Sequence, residues 1–486
     1  DAQNTPYSLS ARLFSKFFFG DLSSITMRYA SASYLFDIVA VLVTSLCLII
    51  VANRILRTSK YPNDASVTAS LWLLLPVIMV VLAFIDQTPL RDYKPMSADW
   101  WLPISETFNP QGFGWVLATI GLLFYLSLPN KTGGVIIGSV VLYIASLVHP
   151  VIPLLIPIIL VFIAFLELRT SACLHIFILT TAAFLSCAAG IGTSIVLFPE
   201  ASASVGGFYD IYVTNRHPHH YQPSQYVSPR MIAKLAFYIV IVTSVIFLYG
   251  RLTWSMLAVV LTLALGPHAL QYIFVEIFQI DGFIKLGPSR LIMAFNFITV
   301  TIGICIAAFL FSSLSPMISK IGDVIVKRVW TFLAIVCNLV TLVSVVGIFL
   351  LGWSYRINNF PNRIEIAVSD VIEENGWIGT AIQRINLPST VGSHAVQMHL
   401  REVGGLAIYW DFYFPFSAGA ALEWSRRQKI ITKIEECLVQ SSISVCDVSL
   451  EHERVLFLTE GVRLTPDSVS VGSIRGTDLW LTPSWL

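Results

Sequence analysis

The apolar residues of this chain come in long blocks rather than in scattered pairs. Runs of spanning length lie at about 34–52, 68–85, 113–128, 133–148, 151–166, 172–198, 231–249, 252–280, 289–312 and 330–352. About 20 consecutive apolar residues carry a helix across a bilayer. The pattern therefore predicts a transmembrane domain of about ten helices over residues 34–352. The three runs from 113 to 166 are short, so the helices there are expected to be steeply constrained or partly re-entrant. His149-Pro150 divides an otherwise continuous apolar stretch, and the division predicts a hairpin of two helices.

Past residue 353 the pattern changes. Residues 406–412 and 454–458 alternate as strands do, and Ala418 to Gln440 has helical periodicity with a charged face (Glu423, Arg426, Arg427, Lys429, Lys433, Glu435, Glu436). Strand, helix and strand in that order predict a small α/β domain over 353–486, with no glycine-rich loop for a nucleotide. At the other end, residues 1–33 form a polar N-terminal segment. Within it, residues 8–20 carry Arg12 and Lys16 four apart. That stretch reads as a helix lying in the membrane interface or as a helical cap on the bundle.

Composition supports the membrane reading. The chain of 486 residues is 56% hydrophobic and 12% charged, with mean hydropathy +0.75. Soluble domains carry about 25% charged residues. A net charge of +1 points to no nucleic-acid partner. Cys47, Cys173, Cys187, Cys305 and Cys337 lie in apolar runs, where thiols act as small hydrophobes. Cys437 and Cys446 lie in the polar region, either as a disulfide in an oxidising compartment or as two free thiols.

Basic residues set the expected sidedness. Arg54, Arg57 and Lys60, then Lys131, Arg169, Arg251, and finally Lys320, Lys327 and Arg328 fall in the odd-numbered connections. Those connections are expected to face the cytoplasm. The long even-numbered connections (86–112, 199–230 and 281–288), residues 1–33 and the tail are expected outside. The first residue is Asp1, and an outside N-terminus predicts one further helix upstream, about eleven spans in all.

With that sidedness, the ionisable groups gather outside. Asn215 to Ser224 reads N-R-H-P-H-H-Y-Q-P-S, placing Arg216, His217, His219, His220 and Tyr221 in one loop. His149 lies at its hairpin tip, and Glu276, Asp281, Lys285 and Arg290 flank two later spans. Asp86, Asp92, Asp99 and Glu106 share another outer loop with Trp100 and Trp101. Arginine and lysine suit a phosphate headgroup, carboxylates suit a base that activates a hydroxyl, and histidines donate to phosphate oxygens. Tryptophan and tyrosine stack on sugars or anchor helices at the interface. Together these groups point to glycosyl transfer from a lipid carrier. The alternatives are plain ones: a metal held by the three loop histidines, a rigid polar loop packed under the tail, and His149 as a cap bonded to a carbonyl. A transporter is disfavoured, because few spans hold a deep charge and no inverted repeat is visible.

Several motifs resemble the GT-C superfamily of integral-membrane glycosyltransferases. They are N-P-Q-G-F-G-W-V-L (109–117) entering a span, the hairpin at His149-Pro150, and large outer loops followed by an outer C-terminal domain. R-H-P-H-H-Y-Q-P-S (216–224) and W-D-F-Y-F-P-F with A-L-E-W-S-R-R (within 410–427) resemble a little-characterised bacterial branch of GT-C-like proteins. The resemblance implies a multi-pass protein of the bacterial inner membrane that takes sugar from a polyprenyl-phosphate-type donor. It implies an extracytoplasmic acceptor that is glycan, lipid or protein. GT-C enzymes place an acid in the first outer loop, which by position is Asp1 or, next in the loop, Asp21. His149, Arg216, His217, His219, His220, Tyr221 and Arg290 would then bind substrate. No cofactor is implied; some members use a divalent metal, and no DxD pair indicates one here. Trp410, Asp411 and Trp424 would contact glycan or belong to the tail's core. The alternative function is a catalytically silent scaffold or accessory subunit partnered with other membrane proteins.

Overall fold

The computed structural model describes residues 25–57, 71–82 without 73, 110–128, 131–167, 173–197, 209–214, 221–248, 253–319, 368, 370–377, 380–385, 418–440, 454–474 and 477–483, with scattered positions from 336 to 347. Asp1, Asp21, Arg216, His217, His219, His220, Trp410, Asp411, residues 8–20 and 406–412, and the loop at 86–109 lie outside the described residues.

The described chain is mostly helical, with a small C-terminal sheet. Its larger helices are α1 (Ile25–Arg57), α2 (Pro110–Ser127), α3 (Lys131–Val148), α4 (Leu155–Leu166), α5 (Cys173–Leu197), α6 (Pro229–Leu248), α7 (Trp254–Gln271), α8 (Asp281–Leu286), α9 (Ile292–Ser319) and α10 (Ala418–Gln440). Among the described residues, four segments are long and apolar enough to cross a membrane: Leu35–Leu56, Cys173–Leu197, Trp254–Ile277 and Pro288–Leu310. Gln111–Ser127, Thr132–Val148, Ile152–Leu166 and Met231–Phe247 are apolar but shorter. Fewer full-length spans are therefore found than the ten expected. The shorter helices follow apolar runs that are themselves short, and parts of 68–85 and most of 330–352 lie outside the described residues.

The helices alternate in direction between two ends. Tyr125 bonds Ser139 at 2.9 Å, and a Cβ added at Gly121 would lie 3.0 Å from Leu142 Cγ. These contacts set α2 and α3 antiparallel in one register. A Cβ at Gly138 would lie 2.6 Å from the Tyr125 ring, and one at Gly190 would lie 2.6 Å from Ser146 Cβ and 2.7 Å from the Tyr143 carbonyl. The α2–α3–α5 layer thus closes on glycine, as membrane helices do where lipid offers no hydrophobic drive to associate. The outer face of α5 leaves Leu174, Phe177, Phe184, Leu185, Val196 and Leu197 exposed.

Helix α9 is the centre of the bundle. Its first turns bury Ile292, Met293, Ala294, Phe295, Phe297 and Ile298, and Trp115 meets Phe297 edge-on. The Trp115 indole N–H donates to Thr44 Oγ1 at 3.0 Å, a buried bond between α2 and α1. At one end Arg54 grips Glu167 with two bonds of 2.6 and 3.0 Å, tying α1 to the residue that follows α4. The sequence reading treats Arg54 as a loop cation; here it lies inside α1, and its partner carboxylate is buried. The opposite end carries His149, the segment from Tyr209 and the start of α9, and is called the site end below.

In the tail, β1 (Ala381–Arg384), β2 (Val455–Glu460), β3 (Val469–Ile474) and β4 (Thr477–Pro483) form one sheet in the order β1-β2-β4-β3. The β1–β2 pair is parallel and the others are antiparallel. A parallel pair needs a crossover connection, and α10 lies within it, seating Ile431 and Ile434 beside Ile385 and Val455. The expected strand at 454–458 and helix at Ala418–Gln440 are both present; β1 was not expected. Cys437 is disulfide-bonded, whereas Cys47, Cys173, Cys187 and Cys305 are free thiols.

Candidate functional site

Three of the residues singled out by sequence meet at the site end. Alternation of the helices explains the meeting, since it brings the outlet of α3, the end of α7 and the inlet of α9 to the same level. His149 follows the last turn of α3 and is buried. Its Nδ1 accepts the backbone N–H groups of Val151 and Ile152 at 3.2 and 3.3 Å. These amides open the 3-10 turn Ile152–Leu154 that leads into α4, and helix openings leave such donors unsatisfied. The cap therefore serves amides, not the carbonyl that the sequence suggested. With Nδ1 accepting, the ring proton sits on Nε2. Burial, reinforced by the Arg290 charge, pushes the imidazole pKa down to about 3, so the ring is neutral at physiological pH. The close seat requires glycine at 114: a Cβ there would lie 2.9 Å from His149 Cβ.

Arg290 is in the 3-10 turn Pro288–Leu291, which packs against the turn after His149. Gly287 adopts φ 60° and closes α8. A side chain at this position would meet Arg290 Nε at 3.5 Å and the Tyr221 ring at 3.7 Å. Tyr221 is buried, donates its hydroxyl proton to Tyr212 at 2.9 Å, and meets that ring edge-on. Gln271, at the end of α7, binds both sides of this junction. Its Nε2 donates to the Tyr221 carbonyl at 3.0 Å, and its Oε1 accepts the Ser289 amide at 3.1 Å. One glutamine thus fixes the spacing between Tyr221 and the turn that carries Arg290.

A second polar group lies beside the first. Past Gln271 the helix widens into a π turn, Tyr272–Ile277, a feature frequent at functional sites. It presents Glu276 to Ser224, whose backbone N–H donates to Oε2 at 3.2 Å and whose hydroxyl donates to Oε1. Tyr226 contacts His268 Nδ1 at 3.1 Å. Burial and the nearby Glu276 charge both raise the Tyr226 pKa, keeping it a phenol. On α8, burial lowers the Lys285 pKa and Asp281 partly opposes the shift.

The tail reaches the same place. Trp424 of α10 is buried among Tyr212, Val213, Tyr221, Val275 and Ile284, so it belongs to the core of this junction. Next to it, Glu423 bonds Arg426 and Arg427 at 2.7–2.8 Å; those bonds, Arg426 first, hold its pKa down to about 2.

No family model, curated protein or solved structure matches this chain.

The sequence reading missed Asp37, Gln271 and His268. Asp37 is 0% exposed and follows Phe36, which stacks on Phe113 at 4.1 Å, one residue before Gly114 and the His149 seat. Its signal was a lone acid at the start of an apolar run. His268 and Gln271 sit inside another apolar run, where only their polarity marks them. Among the described residues no group of three or more His, Cys, Asp or Glu side chains is placed to hold a metal ion.

Proposed function

We propose that this chain is a multi-pass membrane glycosyltransferase of GT-C type, moving a sugar from a polyprenyl-phosphate-type lipid to an extracytoplasmic acceptor. The observation that carries the reading is the meeting of His149, Arg290 and Tyr221 at one end of an apolar helical bundle. Arg290 supplies a fixed cation, and neutral His149 supplies an N–H donor from Nε2. Together they suit the oxygens of a lipid phosphate at the membrane boundary. In the transfer, an acceptor hydroxyl forms a bond to the anomeric carbon while the bond from that carbon to the phosphate oxygen breaks. The electron pair leaves with the lipid phosphate, where Arg290 stabilises the charge, and a carboxylate takes the hydroxyl proton. Asp37 joins Asp1 and Asp21 as the acids to test for that role. Arg216, His217, His219 and His220 extend the same phosphate site in this reading.

The site end is proposed to be extracytoplasmic, in the bacterial inner membrane, with the tail domain covering it through Trp424. A disulfide at Cys437 suits an oxidising compartment, and Cys446 is its proposed partner. The test is transfer by the full chain in nanodiscs supplied with polyprenyl-phosphate sugars extracted from bacterial membranes. Turnover that is lost in Arg290→Gln and in one of Asp37→Asn, Asp1→Asn or Asp21→Asn sustains the proposal. Turnover unchanged in all four variants overturns it.

A second reading, a catalytically silent scaffold or accessory subunit, draws on the buried, capping role of His149. It expects no turnover from the wild-type chain and stable co-purification with other membrane subunits.

A further inference from the structure

His268 has no role in the site as described so far. It is 8% exposed and lies on the inward face of α7 with Ala264, Pro267, Gln271 and Val275, while Leu265, Leu270, Tyr272 and Ile273 face outward. Pro267 beside it cannot donate a backbone hydrogen bond. Its Nδ1 contacts the Tyr226 hydroxyl at 3.1 Å, and its Nε2 is buried with no hydrogen-bond partner.

The Tyr226 hydroxyl can give its proton to Nδ1 or accept one from it. The arrangement with Tyr226 as donor places the imidazole proton on Nε2. A buried N–H without an acceptor costs about 1–3 kcal/mol, and such groups persist in native proteins where a ligand or water completes them. The location narrows the ligand. His268 is one helical turn, about 5 Å, inward of Gln271, whose amide holds the backbone next to Arg290. An acceptor for Nε2 would therefore enter from the Arg290 level and reach into the apolar bundle, as the inner oxygens of a lipid headgroup do.

We propose that His268, set by Tyr226, is a second recognition point that donates from Nε2 to a phosphoryl or ester oxygen of a phosphate-bearing lipid seated against Arg290. The inference rests on the phosphate site proposed above and adds a membrane-side subsite to it. Both a polyprenyl phosphate and an anionic phospholipid present this chemistry.

The test uses the full chain in phosphatidylcholine nanodiscs, with a long-chain polyprenyl phosphate and phosphatidylglycerol as separate probes, and binding read by native mass spectrometry. His268→Phe keeps the ring's bulk and removes the donor; His268→Gln returns an N–H near the Nε2 position. Binding should weaken about tenfold or more in His268→Phe, as expected for a hydrogen bond to a charged group, and recover in His268→Gln. Whichever probe shows this dependence identifies the source of the phosphate. Weakening in Arg290→Gln with none in a His268→Phe protein of unchanged melting temperature overturns the subsite and leaves the phosphate site standing. Weakening in His268→Phe with none in Arg290→Gln overturns the seat against Arg290. If wild type binds neither probe, both ideas fail. Should His268→Phe fail to fold, Tyr226→Phe, which releases the ring without removing it, must weaken binding or the proposal falls.

Discussion

His149 shows how one side chain combines two demands. Its Nδ1 is committed to the amides that open the 3-10 turn, and its buried ring sits beside the guanidinium of Arg290. The imidazole pKa falls from 6.5 to about 3 on folding, so between those values the unfolded chain binds the extra proton. Stability from this group is full above pH 6.5 and declines as pH falls towards 3. Melting temperature measured in detergent from pH 7.5 to 4 should drop, and His149→Asn should flatten part of the drop. Asn keeps an acceptor for the amides, so its cost at pH 7.5 should be below that of His149→Leu, which loses a cap worth about 1 kcal/mol. Equal losses in the two variants would remove the cap from the account. At this scale the sequence was partly legible. His149 and Arg290 announced themselves by residue type at the ends of apolar runs, and Tyr221 by its place in the histidine-rich loop. Asp37, His268 and Gln271 did not, because the partners that give them meaning are remote in sequence.

Among the elements, the α2–α3 hairpin is specified by glycine. A Cβ at Gly138 or Gly190 would meet a ring or backbone carbonyl well inside contact distance, and neither neighbour is a flexible chain end. Gly138→Val should therefore cost about 1–3 kcal/mol through forced separation of the helices, read as a lowered melting temperature. Gly192→Val, where a Cβ meets nothing within 4 Å, is the matched control on α5 and should change little. The break between α3 and α4 was predictable from His149-Pro150, and so was the extent of α10. The π turns at Asp210–Thr214 and Tyr272–Ile277 were not: nothing in their local composition separates them from α-helix. Residues 252–280 therefore read as one span although the helix changes pitch after Gln271.

On the scale of the whole molecule, two long-range contacts hold the ends. At the site end Trp424 joins the tail to Tyr212 and Tyr221. Trp424→Ala should cost about 3–5 kcal/mol of local packing and raise amide hydrogen exchange at 209–214, 221–226 and 418–430 together. Exchange rising in the tail alone would mean that the two parts are not joined there. At the other end, Glu167→Gln should destabilise strongly, because it leaves Arg54 facing a neutral amide in a site where Glu167 is 2% exposed. Breaking a buried pair costs about 3–5 kcal/mol, and the partial exposure of Arg54 places the expectation at the low end. The Arg54→Leu, Glu167→Leu double variant should melt above Glu167→Gln. These pairings were illegible in sequence, where Arg54 read as a loop cation and Glu167 drew no comment. The same ion pair has a consequence for biogenesis. Its members are 113 positions apart in the chain, a gap that a ribosome moving at about 5–20 residues per second takes roughly 6–23 s to cover. Until Glu167 is made, α1 carries the Arg54 guanidinium without this partner. The fastening of α1 to the end of α4 can therefore only follow synthesis of residue 167.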